Sequence, residues 1–312
     1  MANDTDRNAH PPPFVIEPTA QHAHSFILLH GLGSNGEKFG KELIDTGVCS
    51  DGKKLVDIFP GARFIFPTSK KRRSTAFGRA MLRQWFDIRS LDDPSYRQDG
   101  QLKGLVESSQ EIREILDEEL KKISHQNIIL GGLSQGCATA LCCLLSLNFP
   151  LGGFIGMSGW LPFQKEIEAA ARDEDDSSDD NPFGSDTEDP FEHSEGEEGP
   201  VIQDPISRVI NLTRDLLCLD KLENTSKTNS PLLTPVFLGH GEADDKVKPC
   251  YGKSAYETLV AGGFQVTWKC YSDQGHWYKI PDEIDDLVKF IREQVGWHEG
   301  TSGSCIRASP VS

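Results

Sequence analysis

The strongest constraint on how this chain can fold is a rhythm: short runs of β-branched and aromatic residues, several of them nearly all apolar, separated by longer segments in which apolar residues recur at three- and four-residue steps. The short runs are Ser25 to His30, Ala62 to Phe66, Asn127 to Gly131, Gly153 to Met157, Pro235 to Gly239 and Gln265 to Tyr271. Successive side chains of a strand point to opposite faces, so a strand that is apolar throughout has to be covered on both. The longer segments supply the cover. Leu105, Ile112, Ile115, Leu116, Leu120 and Ile123 fall on one face of a helix, and so do Ile284, Leu287, Val288, Ile291 and Val295. A third helix is expected from about Ser34, with Glu37 three residues on completing a capping box. The pattern predicts the α/β class, with a doubly wound, mostly parallel sheet and helices on both faces.

The rhythm lapses once, from about Gln164 to Ser230. The middle of that stretch, Asp173 to Pro200, is dense in Asp, Glu, Ser and Gly. It holds too little apolar surface to offset the entropy of ordering, and disorder is expected there. Beyond it, Asp204 and Pro205 open a helix that carries Ile206, Val209, Ile210, Leu216 and Leu217 on one face and is expected to dock back on the body. The 312 residues then divide into a flexible tail over 1–18, a single domain over 19–298 interrupted by an insertion over 164–230, and a flexible tail over 299–312.

Charge and cysteine usage narrow the function classes. Of a net charge of −16, thirteen acidic residues with no Lys or Arg lie between Asp173 and Gly199, leaving about −3 for the rest. A nearly neutral body lacks the basic face that nucleic acid requires, and the short cluster Lys70-Lys71-Arg72-Arg73 reads as a solvated loop. No run approaches the roughly 18 apolar residues of a membrane span. There is no signal-peptide core or lipidation pattern either, so membrane contact is expected to be peripheral at most. The eight cysteines are scattered, two of them adjacent at Cys142 and Cys143 in an apolar helical run, which fits reduced core residues in a cytoplasmic protein.

The chemistry centres on Gly132-Leu133-Ser134-Gln135-Gly136, placed between the apolar run that ends near Gly131 and the helical run Ala138 to Leu147. A serine with glycines two residues to either side suits a tight strand-to-helix turn, with its hydroxyl projecting from the carboxyl edge of the sheet. The following helix aims its N-terminal dipole at the same point, where acyl transfer develops negative charge. Ser134 is the candidate nucleophile. It requires a base and a carboxylate to orient that base. His276 follows the last predicted strand, in a loop, whereas His10, His22, His24, His193 and His298 lie in tails or in the acidic run and His125 ends a surface helix. The acid should follow the strand that ends at Gly239, where Asp244 and Asp245 compete and Glu242 stands third. The oxyanion donors are expected to be the backbone N–H groups of Gln135 and of Leu32, the latter in the turn His30-Gly31-Leu32-Gly33.

Taken in order, Leu29-His30-Gly31-Leu32-Gly33, Trp85-Phe86-Asp87-Ile88, Ile128 to Gly136, Met157-Ser158-Gly159-Trp160-Leu161-Pro162 and the segments around Asp244 and His276 resemble the acyl-protein thioesterase, carboxylesterase and lysophospholipase family of serine hydrolases. The resemblance implies an α/β-hydrolase fold and hydrolysis of acyl esters or thioesters with no cofactor or metal. Its His-Gly-x-x-Asp pattern falls on His240, Gly241 and Asp244, which favours Asp244 over Asp245. It also implies Leu32 and Gln135 as oxyanion donors and places Trp85 near the substrate cleft. Two departures stand out: Cys137 occupies the position of a second glycine in many relatives, and the region after Pro162 is far longer than in compact ones, where a lid would govern entry to the cleft.

The function expected is removal of fatty acyl groups from S-acylated proteins. Carboxylesterase or lysophospholipase action on small esters or lysophospholipids is the alternative within enzymes. A noncatalytic protein that recruits a basic partner through its acidic insertion is the contrasting class.

Overall fold

The computed structural model describes residues 11–172, 204–223 and 229–298. The expected tail over 299–312 and the acidic stretch 173–200 lie outside the described residues. Among the described residues the elements run β1 (Phe14–Ile16), β2 (His24–Leu29), α1 (Gly36–Thr46), α2 (Leu55–Ile58), β3 (Ala62–Phe66), β4 (Lys71–Ser74), β5 (Ala80–Arg83), α3 (Leu102–Leu120), β6 (Ile128–Leu133), α4 (Gln135–Leu145), β7 (Gly153–Met157), α5 (Gln164–Arg172), α6 (Pro205–Leu216), β8 (Val236–Gly241), α7 (Pro249–Ala261), β9 (Val266–Tyr271) and α8 (Asp282–Phe290). Seven strands form one sheet in the order β1-β3-β2-β6-β7-β8-β9, parallel except for β1.

Side-chain alternation divides the core in two. Ile27 and Leu29 of β2 point into a layer built with Leu105, Ile112 and Leu116 of α3, the apolar side chains of α4 from Cys137 to Leu145, and Leu259 of α7. Phe26 and Leu28 point the other way, into Phe39 and Leu43 of α1 and Ile284, Leu287 and Val288 of α8. The doubly wound α/β sheet expected from the apolar runs is the one observed, and it is the α/β-hydrolase arrangement.

Several local expectations are corrected. The cap of α1 is Asn35, whose Oδ1 accepts from the Lys38 N–H at 2.8 Å, so the Ser34–Glu37 box does not form. The presumed tail over 1–18 contributes β1, which pairs with β3 from Phe14 opposite Phe66 to Ile16 opposite Phe64; three residues are too few for a period to show. The basic run at 70–73 is no loop. It enters a two-stranded antiparallel ribbon, β4 with β5, and the Arg72 guanidinium meets Glu107 of α3 at 2.6 Å.

Both helices of the insertion that are described pack on the body. Asp204 caps α6 as expected, its carboxylate accepting from the Ile206 and Ser207 N–H groups. Arg208 of α6 donates to the Ala170 carbonyl of α5 at 2.7 Å, and Arg214 reaches the Ser146 carbonyl beyond α4 at 2.9 Å. Asn211, which matches a glycosylation acceptor in sequence, is buried and exchanges hydrogen bonds with the Leu222 backbone.

The amino edge of the sheet is held by a charge cluster. Glu119 near the end of α3 is 2% exposed; it accepts from Ser25 Oγ of β2 at 2.6 Å, Arg63 Nη1 of β3 at 2.5 Å and Lys122 Nζ at 2.7 Å. Burial alone would raise its pKa, but the hydrogen bonds from Lys122 and Ser25 and the charge of Arg63 hold it below the ordinary carboxylate range. Removing one member of such a cluster leaves its partners buried and unpaired. Glu119→Ala is therefore expected to lower the unfolding free energy by about 3 kcal/mol in urea titrations, and a loss under about 1 kcal/mol would show the cluster to be a surface pair in effect.

Candidate active site

Four loops leave the carboxyl edge of the sheet side by side: those after β2, β6, β8 and β9. Open parallel sheets present their strand ends and helix N-termini there, which is where ligands bind. Each loop carries one part of the expected site.

Ser134 sits between β6 and α4 at φ +58°, ψ −123°, a backbone region that non-glycine residues rarely adopt. The Ser134 N–H donates to the Met157 carbonyl at 2.8 Å, and the Ser134 carbonyl accepts from the Ala138 N–H at 3.1 Å, so both sides of the turn are tied. The flanking glycines have a steric reason: a Cβ at Gly132 or Gly136 would collide with the Leu29 carbonyl oxygen of the neighbouring strand. Cys137 is accommodated from the opposite direction, because its sulfur occupies the space left by the absent side chains of Gly156 and Gly159.

The three predicted side chains converge. His276 Nε2 lies 2.9 Å from Ser134 Oγ, and His276 Nδ1 lies 2.8 Å from Asp244 Oδ2. A carboxylate only accepts, so Nδ1 carries the hydrogen and Nε2 presents its lone pair to the serine hydroxyl. Asp244 Oδ1 accepts from the Lys246 and Val247 N–H groups, each at 2.9 Å. Asp245 is exposed and turns to Lys246 Nζ at 3.1 Å, and Glu242 is exposed as well. Burial pushes the Asp244 pKa up, but hydrogen bonds from His240, His276 and the Val247 amide outweigh it and hold the carboxyl well below its usual range. The acid thus stays ionised while shielded from water.

Leu32 and Gln135 both line a cleft of about 230 Å³ with Ser134 and His276. Gln135 opens α4, and the first N–H groups of a helix have no acceptor within it, so its amide is available to a ligand at Ser134. The Leu32 turn is steadied from outside by the Gly33 N–H, which donates to the Arg83 carbonyl of β5 at 2.8 Å. The remaining lining is mostly apolar, including Phe39, Ile88, Leu91, Trp160 and Trp277. Trp85 is elsewhere: fully buried and absent from the cleft lining, it packs behind the Leu32 turn. Its neighbour Ile88 reaches the cleft, and Asp87 accepts from Thr75 to hold the β4–β5 ribbon in place.

Sequence reasoning missed His240 as a site residue, although its signal stood in the His-Gly-x-x-Asp pattern. Its ring is 1% exposed, and Nε2 donates to the Val247 carbonyl at 2.8 Å while lying 3.3 Å from Asp244 Oδ2. Glu283 of α8 also escaped notice. Its carboxylate packs against Gly239 of β8, just before the acid loop, and accepts from the Lys279 N–H at 2.8 Å, while Oε1 is buried without a hydrogen-bond partner. Among the described residues no group of His, Cys, Asp and Glu side chains is arranged to hold a metal.

Burial pushes the Glu283 pKa from 4.5 up to about 8. The native protein then keeps a proton that the unfolded chain releases as pH rises above 4.5, so this residue costs stability progressively between those two values and by a constant amount above them. Thermal melts of Glu283→Gln and wild type are expected to differ by several degrees more at pH 8 than at pH 5, in favour of the variant. An equal gap at both values would mean that Glu283 does not titrate in this window.

Residues 10–175 match the family described as phospholipase/carboxylesterase. Acyl-protein thioesterase 1 of Kluyveromyces lactis is 31% identical over 282 residues, which span 88% of this chain and 94% of that protein. Acyl-protein thioesterase 1 of Gibberella zeae is 24% identical over 287 residues, 91% of this chain and 95% of its own. Among solved structures, Zea mays acyl-protein thioesterase 2 has the same fold, with a TM-score of 0.61, 23% identity, and coverage of 91% of this chain and 99% of that one.

Proposed function

This chain belongs to the phospholipase/carboxylesterase family and is an ester- or thioester-hydrolysing enzyme, and we propose that its reaction is the removal of fatty acyl groups from S-acylated proteins. The observation that carries this reading is the pair of contacts at His276, 2.9 Å to Ser134 Oγ on one side and 2.8 Å to Asp244 on the other. His276 takes the hydroxyl proton as Ser134 attacks the acyl carbon, and the Leu32 and Gln135 N–H groups receive the oxyanion. Collapse of the tetrahedral adduct breaks the acyl–sulfur bond, and His276 returns the proton to the departing thiol. Water then attacks the acyl-enzyme by the same route and releases the fatty acid. Asp244 remains ionised throughout and stabilises the imidazolium.

The thioester reading draws on the similarity to acyl-protein thioesterases along nearly the whole chain, and the apolar lining of the cleft suits an alkyl chain. Peripheral contact with a membrane, where acylated proteins reside, is supported by the β4–β5 ribbon: residues 70–83 carry six Lys and Arg and no acid, and Phe77 and Met81 are 44% and 53% exposed. No helix among the described residues is long and apolar enough to cross a membrane. A cytoplasmic setting agrees with the free cysteines, of which Cys137, Cys142 and Cys143 are buried in the core.

The experiment is a substrate panel with Ser134→Ala as control. A fluorophosphonate probe is expected to label the wild type rapidly and the variant not at all, and kcat/KM of the variant is expected to fall by at least about 10³. The highest kcat/KM should be found on a long-chain acyl-thioester peptide. A lysophospholipid or a short aryl ester taking that place would move the assignment to lysophospholipase or carboxylesterase, and a Ser134→Ala protein with wild-type rates would end the serine mechanism.

A further inference from the structure

Trp85 stands in one of the runs that carry the family resemblance, yet it does not line the cleft. Its hydrogen bonds give that position a meaning. The indole Nε1–H donates to the His30 carbonyl at 2.7 Å. The Trp85 backbone N–H donates to Gln135 Oε1 at 2.9 Å, and Gln135 Nε2 donates to the Phe86 carbonyl at 2.8 Å, so the glutamine side chain clamps the backbone of two successive residues. Ser108 Oγ of α3 donates to the Trp85 carbonyl at 2.6 Å from behind. At the other end, the His30 ring donates from Nδ1 to the Gly31 carbonyl at 2.7 Å and accepts at Nε2 from the Ser69 N–H at 3.1 Å. Burial holds the His30 pKa down to about 4, which keeps the ring neutral and preserves that acceptor.

These contacts join into one buried path. It leaves the Gln135 backbone through that residue's own side chain, crosses Trp85 to His30, and continues through Gly31 to Leu32. Its two ends are the two amides assigned to the oxyanion, which belong to different loops, one after β2 and one after β6. We propose that the side chains of Trp85, Gln135 and His30 form a brace that sets the spacing of the Leu32 and Gln135 N–H groups, which makes them positioning residues for oxyanion stabilisation. The proposal rests on the hydrolase reading above.

The physical need is clear. Both donors must reach the oxyanion at about 2.7 to 3.1 Å, and a misplacement of about 1 Å costs on the order of 10² in rate. Amides carried by two separate loops hold such a spacing only if buried, fully hydrogen-bonded groups hold the loops. The oxyanion exists in the transition state and not in the bound substrate, so disturbing the brace should lower kcat and leave KM nearly unchanged.

The variants that test this are Trp85→Phe, which keeps most of the ring and deletes the Nε1–H donor, Gln135→Met, which deletes both clamp bonds and keeps the backbone amide, and the double variant. Each is assayed for kcat and KM on a fluorogenic ester, for Ki of an aliphatic trifluoromethyl ketone that forms a tetrahedral adduct with the serine, and for melting temperature. Each single variant is expected to lose about 10- to 100-fold in kcat with KM within about twofold, with the ketone Ki rising in step, and the double variant is expected to lose less than the product of the two. Gln135→Glu, which keeps the acceptor for the Trp85 N–H and loses the donor to Phe86, should fall between wild type and Gln135→Met, and it carries the test if Trp85→Phe does not fold. Folded variants with kcat within about threefold of wild type, or a loss that appears in KM with the ketone Ki unchanged, overturn the brace. A wild type that turns over no ester and is not labelled by fluorophosphonate defeats the hydrolase reading itself, a result distinct from a labelled wild type with unaffected variants.

Discussion

The site depends on one backbone conformation, the left-handed φ of +58° at Ser134. A non-glycine residue held there costs on the order of 1 to 3 kcal/mol, and the surroundings have to over-determine it. They do so through the parallel sheet. The Ser134 amide is claimed by the carbonyl of Met157 at the end of β7, the next turn of α4 begins on its own carbonyl, and glycines at 132 and 136 let the end of β2 pass close by. Any loosening of β2, β6 or β7 against one another would release the turn, so the stability of the sheet and the aim of the hydroxyl are one property.

Charge is arranged along the same axis. At the amino edge, Glu119 gathers Ser25 of β2 and Arg63 of β3 and ties the ends of both strands to α3. At the carboxyl edge, Asp244 is buried and ionised, supported by two backbone amides and two imidazoles, and the N-terminus of α4 faces the serine. The two buried carboxylates differ in what surrounds them from Glu283, which meets a backbone amide on one oxygen and nothing on the other, and keeps its proton instead. Hydrogen bonds and neighbouring charges outweigh the cost of burial at Glu119 and Asp244, and at Glu283 the cost of burial prevails.

Legibility from sequence followed the strength of the local signal. The six strands β2, β3, β6, β7, β8 and β9 and the long amphipathic helix α3 were readable from the runs and periods of their residues, and Ser134 was readable because strand, elbow and helix leave a mark within about twenty residues. The strand β1 and the ribbon β4–β5 were not: three and four residues cannot display a period, and a run of Lys and Arg gives no sign that Arg72 will fold back onto Glu107. The helix α5 was lost because its polar face merges into the acidic stretch, and Ile167 is its one buried side chain. Trp85 was placed near the cleft because the run containing it marks the family, whereas its ring is fully buried against His30 and Ile88 of the same run lines the cleft.

What the amino-acid sequence determined by itself was the class of fold, the strand-to-helix turn that carries Ser134 and the chain order of the residues proposed for acyl transfer, because these follow from apolar periodicity and from glycines placed where only glycine fits. Chain position left Asp244 and its neighbours open and the family pattern favoured Asp244; the fold supplies the physical reason, since one carboxylate is turned inward onto two amides and His276 while the next faces water, a direction set by the turn from β8 to α7. Tertiary structure alone decided how Gln135, Trp85 and His30 meet. They lie 50 and 55 residues apart along the chain, and side-chain hydrogen bonds across such separations leave no periodic trace in sequence.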